Sequence, residues 1–202
     1  NESESAWENC RGIGFSFGYN QAEDERQILS GRQLACHLTD VVSRGGRLLL
    51  NVGPTAEGEI PDIQQVSLRS LGRWMAQVGD VITAAQPVPQ AVAQPTDDPW
   101  VRWLETPEHL VAVVDQVGET TLNYRHDRVS GTAAELVGAS GSVAASTGSC
   151  TVQVDELIDG PATLRAHLVL LAATGTDPLV ALQAAATARE LDTADDRSAV
   201  LD

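Results

Sequence analysis

The chain has 202 residues, enough for one large core or two small ones, and its 43% hydrophobic and 20% charged content is that of an ordinary globular sequence. With 28 acidic against 13 basic side chains it carries a net charge of −15, which opposes nucleic acid and anionic membrane as partners, since both need cations to displace counterions. No run of about 18 apolar residues occurs and no basic segment leads into an apolar one, so neither a membrane span nor a secretory leader is expected.

A Trp-Glu pair and a run of glycines and aromatics, "AWENCRGIGFSFGYN" (6–20), open the chain where a fraying terminus would normally stand. From Glu25 to Ser43 the apolar positions Leu34, Ala35, Leu38, Val41 and Val42 share one helical face, and Gly45 and Gly46 stop the helix. "RLLLNVGP" follows, with Leu48, Leu49, Leu50 and Val52 apolar on both faces, the pattern of a strand buried between layers. Pro61 opens a second helix, for which Ile63, Val66, Leu71, Trp74, Met75 and Val78 predict a buried stripe and Gly79 an end.

Four prolines in "QPVPQAVAQPTDDP" (86–99) predict a linker or domain edge. Beyond it the rhythm changes to short runs: 109–115, 120–124, "AAELVG", "GSVAAS", 150–155 and 164–173, separated by Gly, Asp and Ser. Strands at about ten-residue spacing predict an antiparallel β-sandwich. Residues 174–202 are rich in Ala and Asp and predict one loose helix and a disordered end. His109, His126 and His167 are read as surface or edge residues. Cys10, Cys36 and Cys150 make no zinc spacing and are read as small buried hydrophobes, with a Cys10–Cys36 bridge open but unsupported.

Two positions attract chemistry. Asn51 ends an apolar strand, and in a parallel barrel polar residues at the carboxyl ends of strands line the active mouth; capping the turn before "GPT" is the equal alternative. A carboxylate beside a Trp, as at Glu8, suits proton donation to a leaving oxygen if it is poorly solvated, although a Trp-Glu pair is ordinary in itself. Phe15, Phe17 and Tyr19 could stack on the apolar face of a sugar.

Three blocks, "WENCRGIGFSFGYN", "LLLNVGPTAEGEIP" and "LRSLGRWMAQVGDVI", in this order and at these spacings, closely resemble the last third of the catalytic domain of α-L-fucosidases, family 29 of the glycoside hydrolases. The resemblance covers residues 7 to about 85 and departs at "GDVITAA", where the family usually reads G-E-A-I-Y. It implies an α/β plus all-β fold: the C-terminal part of a (β/α)8-like TIM barrel over 1–88, a linker over 89–99, an antiparallel β-sandwich over 100–173 and a tail over 174–202.

The activity implied is retaining hydrolysis of terminal α-L-fucosyl linkages of glycans or glycosides, without cofactor or metal. Glu8 takes the place of the general acid/base, and Trp7, Phe17, Tyr19 and Asn51 shape or support the pocket. The family's nucleophilic Asp lies well before the Trp-Glu block, and no other carboxylate of residues 1–85 has its context. The resemblance therefore implies that a preceding barrel half is required and that these 202 residues alone are inactive. Two alternatives stand beside this: a non-catalytic carbohydrate-binding or structural module that keeps a barrel remnant, and assembly with a second polypeptide. Linkage preference and location in or outside the cell are left open.

Overall fold

In the computed structural model, residues 7–125, 129–146 and 148–168 are described. Strand β1 (Trp7–Gly12) pairs in parallel with β2 (Gly46–Asn51), in a register that sets Trp7 against Gly46, Glu8 against Arg47 and Gly12 against Asn51. Parallel strands need a long crossover, supplied here by α1 (Gly31–Ser43). The helix starts six residues later than Glu25. Ser30 fixes the start: its hydroxyl accepts from the Gln33 N–H, and the Gln33 amide oxygen accepts from the Ser30 N–H, a reciprocal cap. It stops at Gly45, whose φ of 78° is the left-handed geometry that favours glycine.

Helix α2 (Asp62–Ala84) runs five residues past Gly79. A glycine in mid-helix is tolerated here because Val81 and Ile82 beyond it are buried in the same cluster as Trp74 and Val78. Val66, expected in the buried stripe, is 68% exposed; the inward positions nearer the start of the helix are the polar Gln64 and Ser67.

The remaining strands form two antiparallel sheets. The larger contains β3 (Gln86–Pro87), β4 (Thr96–Asp97), β5 (Trp100–Glu105), β6 (His109–Val114), β8 (Val129–Val137) and β11 (Ala162–Leu168), ordered β3-β5-β6-β11-β8 with β4 on β5. The smaller is β7 (Gly118–Asn123), β10 (Ser149–Leu157) and β9 (Ala139–Ser146), in the order β7-β10-β9. Their facing sides share one core, in which Val101, Trp103, Leu110, Ala112 and Val114 of the larger sheet meet Leu122, Cys150, Val152 and Val154 of the smaller.

The outer side of the larger sheet is covered as well. Leu104, Val111 and Val113 pack on Ala35 of α1 and on Trp74, Val78, Val81 and Ile82 of α2. This explains why "HLVAVV" reads as a continuous apolar run: β6 is buried on both faces. Strand β5, "WVRWLE", was not anticipated, because a buried arginine interrupts its apolar pattern. The Arg102 guanidinium, 7% exposed as a residue, donates to Asp40 of α1, to Asp97 and to the carbonyls of Thr96 and Val101, and lies 4.8 Å over the Trp100 ring.

The proline-rich stretch is tied to the sheets. Ala93 bridges Tyr124, the Arg125 N–H donates to the Val92 carbonyl, and the Trp103 indole donates to the Gln94 carbonyl. Cys10, Cys36 and Cys150 are free thiols, Cys150 buried and Cys10 exposed, so the open Cys10–Cys36 bridge is absent. His109 pairs with His167 across β6 and β11. His126 and the tail expected over 174–202 lie outside the described residues.

Candidate functional site

Alternation along the parallel pair sorts the anticipated residues onto two faces. Trp7 and Asn9 face α1. The Trp7 ring covers Gly46 so closely that a β-carbon there would sit 2.4 Å from it, its indole donates to the Arg44 carbonyl at 3.2 Å, and Asn9 Oδ1 is 3.0 Å from His37 Nε2. Leu50 shares this side and packs on Ile13, Ile28 and Leu34. Glu8, Cys10, Arg47, Leu49 and Asn51 occupy the opposite face, which is uncovered: Leu49 is 51% exposed. Leu48–Leu50 are therefore not enclosed between layers as expected from their apolarity.

Trp7 and Glu8 thus diverge, because adjacent strand residues point to opposite faces. Glu8 and Asn51 share a face but not a level. They stand four register positions apart, about 13 Å along strands rising about 3.3 Å per residue. Glu8 is at the amino end of β1, exposed; Asn51 closes the carboxyl end of β2.

At that carboxyl end the chain gathers its aromatic loop. The Asn51 amide donates to the Phe17 carbonyl, and the Ile13 N–H donates to the Asn51 carbonyl at 2.9 Å. Phe15, Phe17 and Tyr19 remain exposed beside it, a rim of aromatic faces next to polar Ser16 and Asn20. Asn51 consequently acts on the loop backbone rather than projecting a free amide.

Sequence reasoning passed over two further side chains here. Glu23 Oε1 accepts from the Ser16 N–H at 2.6 Å, and Gln64 Oε1, on a residue only 3% exposed, accepts from the Gly53 N–H at 3.1 Å. The signal for Gln64 was present: it and Ser67 lie on the helical stripe continued by Leu71, Trp74 and Val78, where an apolar residue would be the default.

Behind the pair, burial pushes the Cys36 thiol up to about 12, helped by the adjacent Asp115 carboxylate, so Cys36 is an inert thiol. Burial, and next the Arg11 charge, lower His37 below the usual histidine value against the opposing pull of Asp40. Among the described residues no group of three or more His, Cys, Asp or Glu side chains is placed to hold a metal ion, and no helix is long and apolar enough to cross a membrane.

The model of the α-L-fucosidase family matches residues 1–80. The plasma α-L-fucosidase of Rattus norvegicus is 42% identical over 77 residues, 38% of this chain and 17% of that protein. The human tissue α-L-fucosidase is 37% identical over 82 residues, 40% of this chain and 18% of that protein. The chain therefore spans under a fifth of these relatives.

Among solved structures, the Thermotoga maritima α-fucosidase in complex with fucose superposes with a TM-score of 0.63 at 30% identity, over 81% of this chain and 40% of that one. α-L-Fucosidase isoenzyme 1 from Paenibacillus thiaminolyticus gives 0.65 at 26% identity, with the same two coverages. The structural likeness thus extends well past the 80 residues that match in sequence and takes in the β-rich part. Residues 1–80 are thus similar to α-L-fucosidases in sequence, and the fold that includes them is similar to that of solved α-L-fucosidases.

Proposed function

We propose that this chain is part of a retaining α-L-fucosidase that hydrolyses terminal α-L-fucosyl linkages of glycans or glycosides. In this reading residues 1–88 contribute the last units of a (β/α)8-like barrel, 89–99 the connection, 100–173 a β-sandwich and 174–202 a tail. The observation that carries the reading is the parallel β1–β2 pair, backed by helices on one face and bare on the other. A barrel has that construction: helices outside, strand residues of the second face turned to the interior. Asn51 and the Phe15–Tyr19 loop then stand at the carboxyl ends of the strands, where barrels carry their chemistry.

Glu8 is the candidate general acid/base, a role it takes from the family resemblance. Its carboxylate shares the bare face with Asn51 but stands four register positions from the mouth, so the role is carried by the resemblance and not by its place on the strand. A retaining reaction needs a second carboxylate about 5–5.5 Å from the first, to attack the sugar while the acid protonates the departing oxygen. No residue matched here has the nucleophile's context, so a polypeptide segment other than these 202 residues supplies it, and the chain alone is inactive.

The test is release of 4-nitrophenol from 4-nitrophenyl α-L-fucoside by the 202-residue chain and by a longer protein that completes the barrel around it. Release by the longer protein only is the expected result; release by neither overturns the proposed activity. In the active protein, Glu8→Gln should lower turnover of fucosides with poor leaving groups by about 10²–10⁴-fold and of activated aryl fucosides far less. Equal loss on both removes Glu8 from the acid/base role.

A further inference from the structure

Resting on that reading, in which the loop after β1 forms the sugar-facing rim, we propose that Gln64 is a positioning residue for the rim, acting through the backbone of Gly53. Gly53 is where the loop after β2 supports the loop after β1. A β-carbon at Gly53 would lie 2.6 Å from both the Gly18 carbonyl carbon and the Tyr19 nitrogen. Backbone rests directly on backbone at this point, and wherever Gly53 sits, the chain between Phe17 and Tyr19 must follow.

Strand β2 has already ended at Asn51, so the parallel ladder does not place Gly53. Its N–H is held by the Gln64 Oε1, which reaches it from the first turn of α2. Gln64 is buried and behind the sheet, away from the face that carries Glu8 and Leu49. It acts on the loop and does not meet a substrate.

Two other contacts fix the same loop at other points: Asn51 holds the Phe17 carbonyl, and Glu23 holds the Ser16 N–H. Two side chains, from β2 and the β1–α1 connection, thus hold the Phe15–Tyr19 loop directly, and Gln64 of α2 acts on it through Gly53, while the aromatic rings are left exposed. The exposed rings gain orientation from contacts that leave their faces free, the arrangement a preorganised stacking surface requires. An apolar residue at this place on the α2 stripe would leave the buried Gly53 N–H unpaired; the glutamine satisfies it and thereby fixes where Gly53 sits.

The test compares Gln64→Met, which keeps length and shape without the amide acceptor, with Gln64→Glu, which keeps an oxygen acceptor. Both are made in the longer protein that completes the barrel and read by amide hydrogen exchange and backbone NMR. Gln64→Met should speed exchange of the Gly53 amide by about tenfold and move the Phe17, Gly18 and Tyr19 resonances, with Val111 and Val113 in β6 unchanged. Gln64→Glu should restore both readouts. Unchanged Gly53 exchange overturns the proposal, as does equal acceleration at Val111 and Val113, which would mark a merely structural residue.

A separate titration with L-fucose, made in the longer protein that completes the barrel, decides the reading on which the proposal rests. The Phe17 and Tyr19 signals of the unaltered protein should move, and those of Gln64→Met should need about tenfold more sugar. No movement in the unaltered protein overturns the fucoside assignment of the rim, while the exchange result still decides what Gln64 positions.

Discussion

Replacing Trp74 with alanine should separate α2 from the larger sheet. Trp74 is fully buried; its ring lies among Ala35, Val78, Leu104, Val111 and Val113, and its indole donates to the Pro161 carbonyl at 3.0 Å. Emptying such a site costs about 3–5 kcal/mol in lost transfer and cavity terms, and the stranded carbonyl adds about 1–3 kcal/mol. Trp74→Phe keeps most of the packing and loses the hydrogen bond, so about 2 kcal/mol is expected.

The turn before β11 offers a second handle on the same contact. A β-carbon at Gly160 would approach Trp74 Cδ1 to 2.5 Å, so Gly160→Ala must displace the ring and should cost about 1–3 kcal/mol. Because both changes act on one contact, the double variant Gly160→Ala/Trp74→Phe should lose less than the sum of the singles by at least about 0.5 kcal/mol. Urea unfolding followed by far-ultraviolet circular dichroism measures all four proteins. A Trp74→Ala loss below about 1 kcal/mol, or strict additivity in the cycle, refutes the view that this ring fastens helix to sheet.

Four further outcomes follow from the same structure. Arg102→Leu, which leaves Asp40 still paired with Arg44 and Asp97 in solvent, should destabilise by about 2 kcal/mol, less than the usual cost of breaking a fully buried ion pair; a neutral result in urea unfolding contradicts it. Iodoacetamide at pH 8 should alkylate exposed Cys10 and spare Cys36 and Cys150, whose thiols burial raises to about 12 and about 11, as mass spectrometry of peptides will report. Since these folded values lie above the unfolded thiol value of about 8.5, their contribution is complete below that pH and is lost as pH climbs toward 11–12, so the urea midpoint should fall over that range; a flat midpoint there refutes the burial argument. The bare face with Leu49 and the exposed Phe15, Phe17 and Tyr19 should make the 202-residue chain self-associate at micromolar concentration, and a monomeric sedimentation profile would count against an uncovered barrel interior.

The sequence by itself settled what is local or repeated in a motif. The stripe from Leu34 to Val42 and the Gly45 stop define α1, the leucine run defines β2, and six of the later strands stand where short apolar runs are punctuated by Gly, Asp and Ser. The three blocks of motif in residues 7–85 were sufficient to indicate the similarity to α-L-fucosidases, since their order and spacing are retained in the linear chain.

Tertiary structure decided everything that depends on which face meets which neighbour. Apolarity could not tell that Leu50 is covered and Leu49 bare, because that depends on where the helices lie and not on the residue. Adjacency in sequence suggested a Trp7–Glu8 pair, and strand alternation put the two on opposite faces. β5 was hidden because Arg102 interrupts its apolar pattern and is neutralised by Asp40 from 62 residues away, and Gln64 because its partner, Gly53, is a backbone group with no signature of its own. Propensity and periodicity are properties of neighbours along the chain; burial, ion pairing and the setting of a loop are properties of neighbours in space, which the fold alone brings together.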